Sequence, residues 1–383
     1  MKILIVNSEY PPVGGGAANA CAHIARLLAQ RGNEVYVVTT LYGNLSEDEV
    51  CDGVRVLRGP TRRSHADRSA AFEQVLFILG GSLRSLQLMR HFRPDVTLAF
   101  FGLPSGAVGW LLKLLAGIPY VVSLRGGDVP GFRPYDFWLY HKIAVPALHP
   151  IWRTASAVVT NSQGLYALAK AFDSRVEISV VPNGVDPQEF QPSRHDWSSP
   201  RLLSVGRVVY QKGYDIALQA LAGLQDLSWE WTIAGDGPHL PTLRRLAQEY
   251  GILDRIHLPG WENLEQVKEH YAHANLFVHP SRHEGMPNAV LEAMASELPV
   301  VASRIAGNEE LVAEGQTGLL VPVEDPAALR AALRLLMLDM DRCRQMALAG
   351  RRRVEKSFGW LSVAEQYEAI LERAIEECVA SAA

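Results

Sequence analysis

Leu276-Phe-Val-His-Pro-Ser-Arg-His-Glu284-Gly-Met-Pro-Asn-Ala-Val-Leu-Glu292 passes from an apolar run through a glycine-containing turn into a segment of helical character. The run at 276–281 reads as a buried strand, and 288–295 holds no glycine that would weaken a helix. Strand, turn and helix N-terminus together make an anion site, because free backbone N–H groups and the helix dipole converge there. Glu284 falls in the turn, where a carboxylate can accept hydrogen bonds from hydroxyls on whatever carries the anion. Glu292, eight positions on, lies about two helical turns deeper on nearly the same face. The pattern suits a ligand with phosphates and several hydroxyls, such as a sugar nucleotide.

Outward from this stretch, short β-branched runs alternate with helical segments along the whole chain, the pattern of parallel sheets covered by helices. Strands are expected at 3–6, 34–39, 54–57, 96–100, 120–124, 157–160 and 178–181, with helices at 17–31, 72–91, 105–116 and 136–153, the last interrupted by Pro146. The alternation restarts with strands at 202–205, 229–234, 256–258, 276–279, 299–302 and 318–321. Between the two series, 186–200 is polar and proline-rich and reads as a linker. The expectation is an α/β chain of two parallel-sheet lobes, 1–185 and 201–359, with a cleft between them and ligands beyond the carboxyl ends of the strands.

Composition agrees with two substantial cores: 383 residues, 48% hydrophobic and 20% charged. A net charge of -4 argues against a general nucleic-acid binder. Residues 1–190 nevertheless hold 18 Lys and Arg against 15 Asp and Glu. Within 55–93 eight arginines face only Asp67 and Glu73, a local excess of +6. That excess reads either as a solvated face or as a patch for an anionic membrane or acceptor. Four scattered cysteines show no metal spacing and fit a reducing compartment. The N-terminal apolar run reads as a first strand rather than a signal peptide, and 110–116, broken by Lys113, is too short to span a membrane. A cytoplasmic protein, at most peripheral at the inner face of the membrane, is expected.

Further groups gather at predicted strand ends. Pro11-Pro-Val-Gly-Gly-Gly-Ala17 removes side chains where backbone must approach a ligand, and its spacing is not the dinucleotide pattern. Val205-Gly-Arg-Val-Val-Tyr-Gln-Lys-Gly213 offers Arg207, which can clamp a phosphate with two parallel bonds, and Lys212, a mobile point charge. Ser123-Leu-Arg-Gly-Gly-Asp128 ends another strand; Asp128 there is either a ligand contact or a turn former. Gly235-Asp-Gly-Pro238 reads as a strand-to-helix turn. His279 and His283 are four apart but straddle a strand end, so no metal site and no metal requirement are expected. Glu284 and Glu292 could also be a hydrolase's paired carboxylates, although one in a turn and one in a helix body fit separate sugar and ribose contacts better.

The ordered set resembles the retaining glycosyltransferases of family 4, the group 1 glycosyl transferases, whose GT-B architecture has two facing Rossmann-like lobes. Besides the motifs above, the resemblance covers Asn183-Gly-Val-Asp186, Pro299-Val-Val-Ala-Ser303, Glu310 and Gly315-Gln-Thr-Gly-Leu-Leu320. It implies a metal-independent enzyme without cofactor that uses a nucleotide sugar, a UDP- or GDP-sugar foremost, and a glycan, lipid-linked or small-molecule acceptor. Arg207 and Lys212 would bind the donor diphosphate, Glu284 the sugar hydroxyls, and Glu292 the ribose. Gly15, Gly16 and Gly206, with the backbone of Gly285, Met286, Pro287 and Asn288, would complete the donor site. Where the family often has a histidine this chain has Arg125, which would read an anionic donor or acceptor group, with Asp128 beside it as a sugar or acceptor contact. The C-terminal helix, 360–383, would cross back to the first lobe, and the apolar spacing of Val363, Tyr367, Ile370, Leu371 and Ala374 suits that packing. A GT-B phosphorylase, a nucleotide-sugar epimerase and a non-catalytic sugar-nucleotide-binding subunit are the competing readings.

Overall fold

A computed structural model of the chain describes residues 1–65, 69–132, 134–192 and 200–382. They form two compact units, Met1–Asn183 with Trp360–Ala383, and Gly184–Gly359.

In the first unit the apolar runs become strands β1 (Lys2–Val6), β2 (Glu34–Leu41), β3 (Asp48–Cys51), β4 (Val54–Arg62), β5 (Val96–Phe100), β6 (Tyr120–Leu124), β7 (Ala157–Thr160) and β8 (Ile178–Val180). Their order is β3-β4-β2-β1-β5-β6-β7-β8, parallel except for β3, which pairs antiparallel with β4. Helices α1 (Gly16–Gln30), α2 (Ala71–Leu88), α3 (Gly106–Ala116), α4 (Pro134–Thr154) and α5 (Gln163–Phe172) alternate with them. The inner strands are buried because they are apolar at nearly every position; Ile3, Leu4, Ile5 and Val6 are all fully covered. Pro146 does not end α4, which runs on through Pro150. Buried Leu148, Ile151 and Trp152 hold the later half in place, so the missing backbone bond is tolerated rather than terminating.

The second unit repeats the scheme with β9 (Arg201–Val205), β10 (Glu230–Ala234), β11 (Ile256–Gly260), β12 (Leu276–His279), β13 (Val300–Ser303) and β14 (Gly318–Val321). The all-parallel order is β11-β10-β9-β12-β13-β14. Helices α6 (Tyr214–Ala222), α7 (Leu240–Glu249), α8 (Leu264–His273), α9 (Asn288–Ala295), α10 (Ala306–Leu311), α11 (Pro326–Leu338) and α12 (Met340–Ser357) cover it. The order reverses between β9 and β12, the position where parallel sheets open a crevice for ligands.

Part of the segment read as a linker packs into this unit. Phe190 is buried edge-on to Tyr271, and Arg351 donates to the carbonyls of Phe190 and Pro187 at 3.0 and 3.1 Å. Residues 193–199 of that segment lie outside the described residues. The last helix, α13 (Trp360–Ala382), belongs to the first unit. Val363, Tyr367, Leu371 and Ala374 enter the core that holds Cys21, Ile24 and Val121. Tyr367 and Ser123 share a hydroxyl hydrogen bond of 2.7 Å, and Asn33 donates to Glu368 at 2.6 Å.

Candidate functional site

The loops that follow β9 and β12, the two strands at the reversal, carry Arg207, Lys212 and Glu284. The Lys212 ammonium lies 2.7 Å from Glu284 Oε1, and both side chains are largely enclosed. Ser281 donates to the same oxygen at 2.9 Å, and His279 Nε2 stands 3.5 Å from it. Glu284 Oε2 has no protein partner among the described residues, so one carboxylate oxygen is held while the other can receive a hydroxyl. Burial alone would push the Glu284 carboxyl up; the Lys212 charge and the His279 bond overcome it and hold the group well below the usual carboxylate range. His279, fully buried, is itself held down by burial and by the nearby lysine. His279 thus supports Glu284 from beneath the turn.

Backbone geometry forces these loops together. Gly206 adopts a φ of +139°, and a side chain there would press on Lys212 at 3.2 Å. At Gly213 (φ +64°) a Cβ would collide with the Pro280 carbonyl, and at Gly307 with that of Gly285. The Gly235-Asp236-Gly237 turn lies just as closely on the carbonyls of Gly206 and Val208. Only glycine fits such conformations and approaches.

A side chain that sequence reasoning passed over, Arg282, fastens the arrangement. It donates to Asp215 at 3.0 and 2.7 Å, to Glu324 at 2.7 Å and to the Tyr210 carbonyl at 2.6 Å, and it stacks 3.7 Å from the Tyr210 ring. Gln211 adds a bond of 2.6 Å to the His283 carbonyl. Lys212 and Glu284 are thus positioned by rigid neighbours rather than by chance proximity. Arg207 is exposed in the same loop. No residue spacing announces Arg282, because its partners are 67 and 42 positions away.

Helix α9 begins at Asn288, its N-cap Pro287 supplies no side-chain bond, and Met286 is buried beneath the turn. The N-cap residue of α9 thus contributes no side-chain bond to the first N–H groups of the helix, which follow directly on the turn that carries Glu284. Glu292 sits in the helix body, where Tyr271 donates its hydroxyl to Oε2 at 2.9 Å. Burial pushes the Glu292 carboxyl up to about 7, although the tyrosine bond and Lys212 pull the other way. The two glutamates of one motif are therefore in opposite electrostatic states.

In the first unit, the need for glycine in the 14–16 loop falls on Gly14, with φ +100° and close contacts to Glu9 and Ala18. Gly15 and Gly16 are exposed, and α1 starts at Gly16 without a side-chain cap. Arg125 is half-buried after β6, donating to Asn183 at 2.8 Å and to Tyr367 at 3.0 Å, with its guanidinium 4.5 Å from the Phe100 ring centre. No carboxylate pairs with it among the described residues. Asp128 takes the turn-forming role. It is 4% exposed and accepts the amides of Gly102, Arg125 and Gly126 at 2.8, 3.0 and 2.9 Å. The expected sugar or acceptor contact does not fit a carboxylate so fully engaged by backbone.

The arginine cluster is also less charged than its sequence suggested. Arg55, Arg58 and Arg63 are paired with Asp48, Glu49 and Glu9, acids that precede the 55–93 window. Arg68 and Asp67 lie outside the described residues. No helix among the described residues is long and apolar enough to cross a membrane.

Two families match consecutive parts of the chain: Glycosyltransferase Family 4 over residues 14–189 and Glycosyl transferases group 1 over residues 185–353. Among curated proteins, a glycogen synthase of Mycobacterium tuberculosis is 28% identical over 95% of this chain and 92% of its own. A GDP-mannose-dependent alpha-(1-6)-phosphatidylinositol monomannoside mannosyltransferase of Mycolicibacterium smegmatis is 28% identical over 94% and 95%. Among solved structures, sucrose-phosphate synthase from Thermosynechococcus elongatus superposes with a TM-score of 0.88 at 23% identity, covering 98% of this chain and all of that one. HepE of Anabaena in complex with UDP-glucose gives 0.76 at 19% identity over the full length of both. These structures show the fold, two Rossmann-like units of GT-B type.

Proposed function

The chain belongs to the family 4 glycosyltransferases, and from that premise we propose that it moves a sugar from a nucleotide-sugar donor to a glycan, lipid-linked or small-molecule acceptor, retaining the anomeric configuration without a metal ion. The observation that carries this reading is the Lys212–Glu284 pair, 2.7 Å apart at the reversal of the second sheet, in the turn that leads into α9. Nucleotide-sugar use is supported by relatives named for GDP-mannose and crystallised with UDP-glucose.

In the proposed reaction the donor diphosphate lies against Arg207, Lys212 and the first amides of α9, with Gly206 and the backbone of Gly285, Met286 and Asn288 allowing close approach. Glu284 Oε2 accepts a sugar hydroxyl, and Glu292 the ribose hydroxyls. As the bond from the anomeric carbon to the phosphate oxygen breaks, negative charge grows on the diphosphate, and the two cations stabilise it where it forms. The acceptor hydroxyl attacks from the same face, and its proton passes to the departing phosphate oxygen, so no side chain serves as an obligatory base. Arg125, a cation with only neutral partners, reads an anionic group on donor or acceptor. The positive charge that a metal would otherwise supply comes from Arg207 and Lys212.

A melting-temperature screen against UDP, GDP, ADP and their sugars tests the donor, since a ligand of the folded state raises the transition by mass action. One nucleotide series should stabilise the protein, and its sugar should be hydrolysed or transferred in the presence of EDTA with retained anomeric configuration. Turnover at the wild-type level in both Lys212→Ala and Glu284→Ala would sink the assignment. Phosphate-dependent cleavage would instead select a phosphorylase.

A further inference from the structure

The hydroxyl of Tyr214 stands apart from those of other buried tyrosines. Tyr214 opens α6 directly after Gly213, in the core that holds Leu218 and Ile233. Its ring is 2% exposed and stands edge-on to Trp231, with ring centres 6.1 Å apart. The phenol oxygen is shut off from solvent and has no hydrogen-bond partner among the described residues. Tyr120, Tyr271 and Tyr367 are buried as deeply, and each reaches a partner: Ile151, Glu292 and Ser123. A buried polar group without a partner lowers stability, and phenylalanine would fill the same space without that loss. Retaining the oxygen therefore calls for a use outside the ligand-free core.

That oxygen ends beside Lys212. A Cβ on Gly206, whose φ is +139°, would lie 3.2 and 3.4 Å from Lys212 Cε and Nζ and 3.6 Å from the Tyr214 oxygen. Phenol and ammonium thus border the same small space, which exists because residue 206 has no side chain. Glu284 acts there as well: burial, and after it the Glu284 carboxylate, pushes the Tyr214 phenol far above its ordinary value. The group stays a neutral hydroxyl, able to accept a hydrogen bond from a cation. The ammonium itself donates to Glu284 Oε1 at 2.7 Å and has further N–H groups to place.

Resting on the donor site described under the proposed function, we propose that Tyr214 is a positioning residue for Lys212, its hydroxyl accepting one N–H of the ammonium when the donor diphosphate is bound. Lysine is a point charge on a flexible stem, and an ammonium held only by Glu284 and a phosphate is free to turn about the line between them. A third contact, from a ring packed against Trp231, fixes its direction. The same contact strengthens binding. The ligand-free protein carries the cost of the unpaired hydroxyl and the complex relieves it, which widens the difference between the two states. A purely structural hydroxyl fits less well, because its partner would already be in place in the core.

Tyr214→Phe is the test, because it deletes the oxygen and leaves the ring in place. Isothermal titration with UDP, GDP and ADP first identifies the nucleotide that the wild type binds. Tyr214→Phe should bind that nucleotide about tenfold more weakly, the scale of one hydrogen bond to a charged group. Its melting temperature without nucleotide should stay the same or rise. In a Lys212→Ala background the same change should have no further effect on affinity, since residues that act through one another are not additive. Unchanged affinity in Tyr214→Phe overturns the proposal and leaves the donor reading standing. So does a loss of equal size with and without Lys212. A ligand-free melting temperature that falls also overturns it, by showing the hydroxyl to be bonded in the free protein. A wild type that binds none of the three nucleotides removes the donor reading and the proposal together.

Discussion

Arg282 grips Asp215 with two parallel hydrogen bonds, 3.0 and 2.7 Å long, across 67 positions of sequence. This fork ties the start of α6 to the turn after β12, so it fixes the loop carrying Lys212 relative to the one carrying Glu284. Arg282→Ala leaves Asp215 and Glu324 facing each other without their cation and should cost about 2–3 kcal/mol, less than a fully buried pair because both acids keep contact with water. Arg282→Lys keeps the charge but not the fork. Urea unfolding should show Lys recovering part of the stability. Both variants should lose turnover beyond what their stability explains, because Lys212 is no longer held.

Exchanging charge within the Lys212–Glu284 pair should separate binding from chemistry. Glu284→Gln releases the ammonium from its internal partner, so affinity for the nucleoside diphosphate should hold or tighten. Transfer should fall by about two orders of magnitude or more, the scale of losing one preorganised contact to the reacting group. Lys212→Ala should weaken both. Isothermal titration with the nucleotide alone, alongside turnover with its sugar, distinguishes the two; parallel losses in Glu284→Gln would contradict the separation.

Glu292 should set a pH dependence near neutrality. Its carboxyl is raised from an ordinary 4.5 to about 7. A raised folded-state value contributes stability below the unfolded value and loses it as pH climbs through the folded one. Glu292→Gln should therefore melt higher than the wild type at about pH 8, by at most about 3 kcal/mol, and differ little at about pH 4. Nucleotide affinity should run oppositely. An ionised Glu292 accepts both ribose hydroxyls, so wild-type binding should weaken by up to about tenfold per unit as pH falls below 7. Glu292→Gln should lack that dependence. A flat wild-type profile would remove Glu292 from the ribose.

Tyr367→Phe should report on the terminal helix. The lost hydroxyl leaves Ser123 Oγ buried without its partner and Arg125 with one fewer acceptor. A cost of about 1–3 kcal/mol is expected in thermal unfolding, with donor-nucleotide affinity unchanged.

Much of this arrangement could be read from the chain because buried parallel strands are written as unbroken apolar runs, and each functional loop directly follows one. The edge strand β3 escaped notice since Asp48 and Glu49 are poor strand formers, and the hairpin depends on a turn at Asp52 and Gly53, both at positive φ. Lys212 and Glu284 were legible as a phosphate loop and a turn carboxylate. The supports around them, Arg282 with Asp215 and Tyr271 with Glu292, are pairings between separate segments, 67 and 21 positions apart, and periodicity carries no information about those. Asp128 was ambiguous for a related reason: a strand-end carboxylate can face a ligand or its own turn, and the amides that occupy it come partly from Gly102, 26 residues earlier.

The return of α13 to the first unit gives the chain an order of assembly opposed to its order of synthesis. Val363, Tyr367, Leu371 and Ala374 fill a core whose other walls are made from residues 3 to 181. A ribosome must therefore release the whole second unit before the first can close. Until then the groove on α1 and β6 stays open, and any chain cut short before residue 360 keeps it open permanently. Truncated products should be recovered as aggregates or chaperone-bound, while the isolated second unit, Gly184–Gly359, holds every element of its own sheet and should fold without that delay.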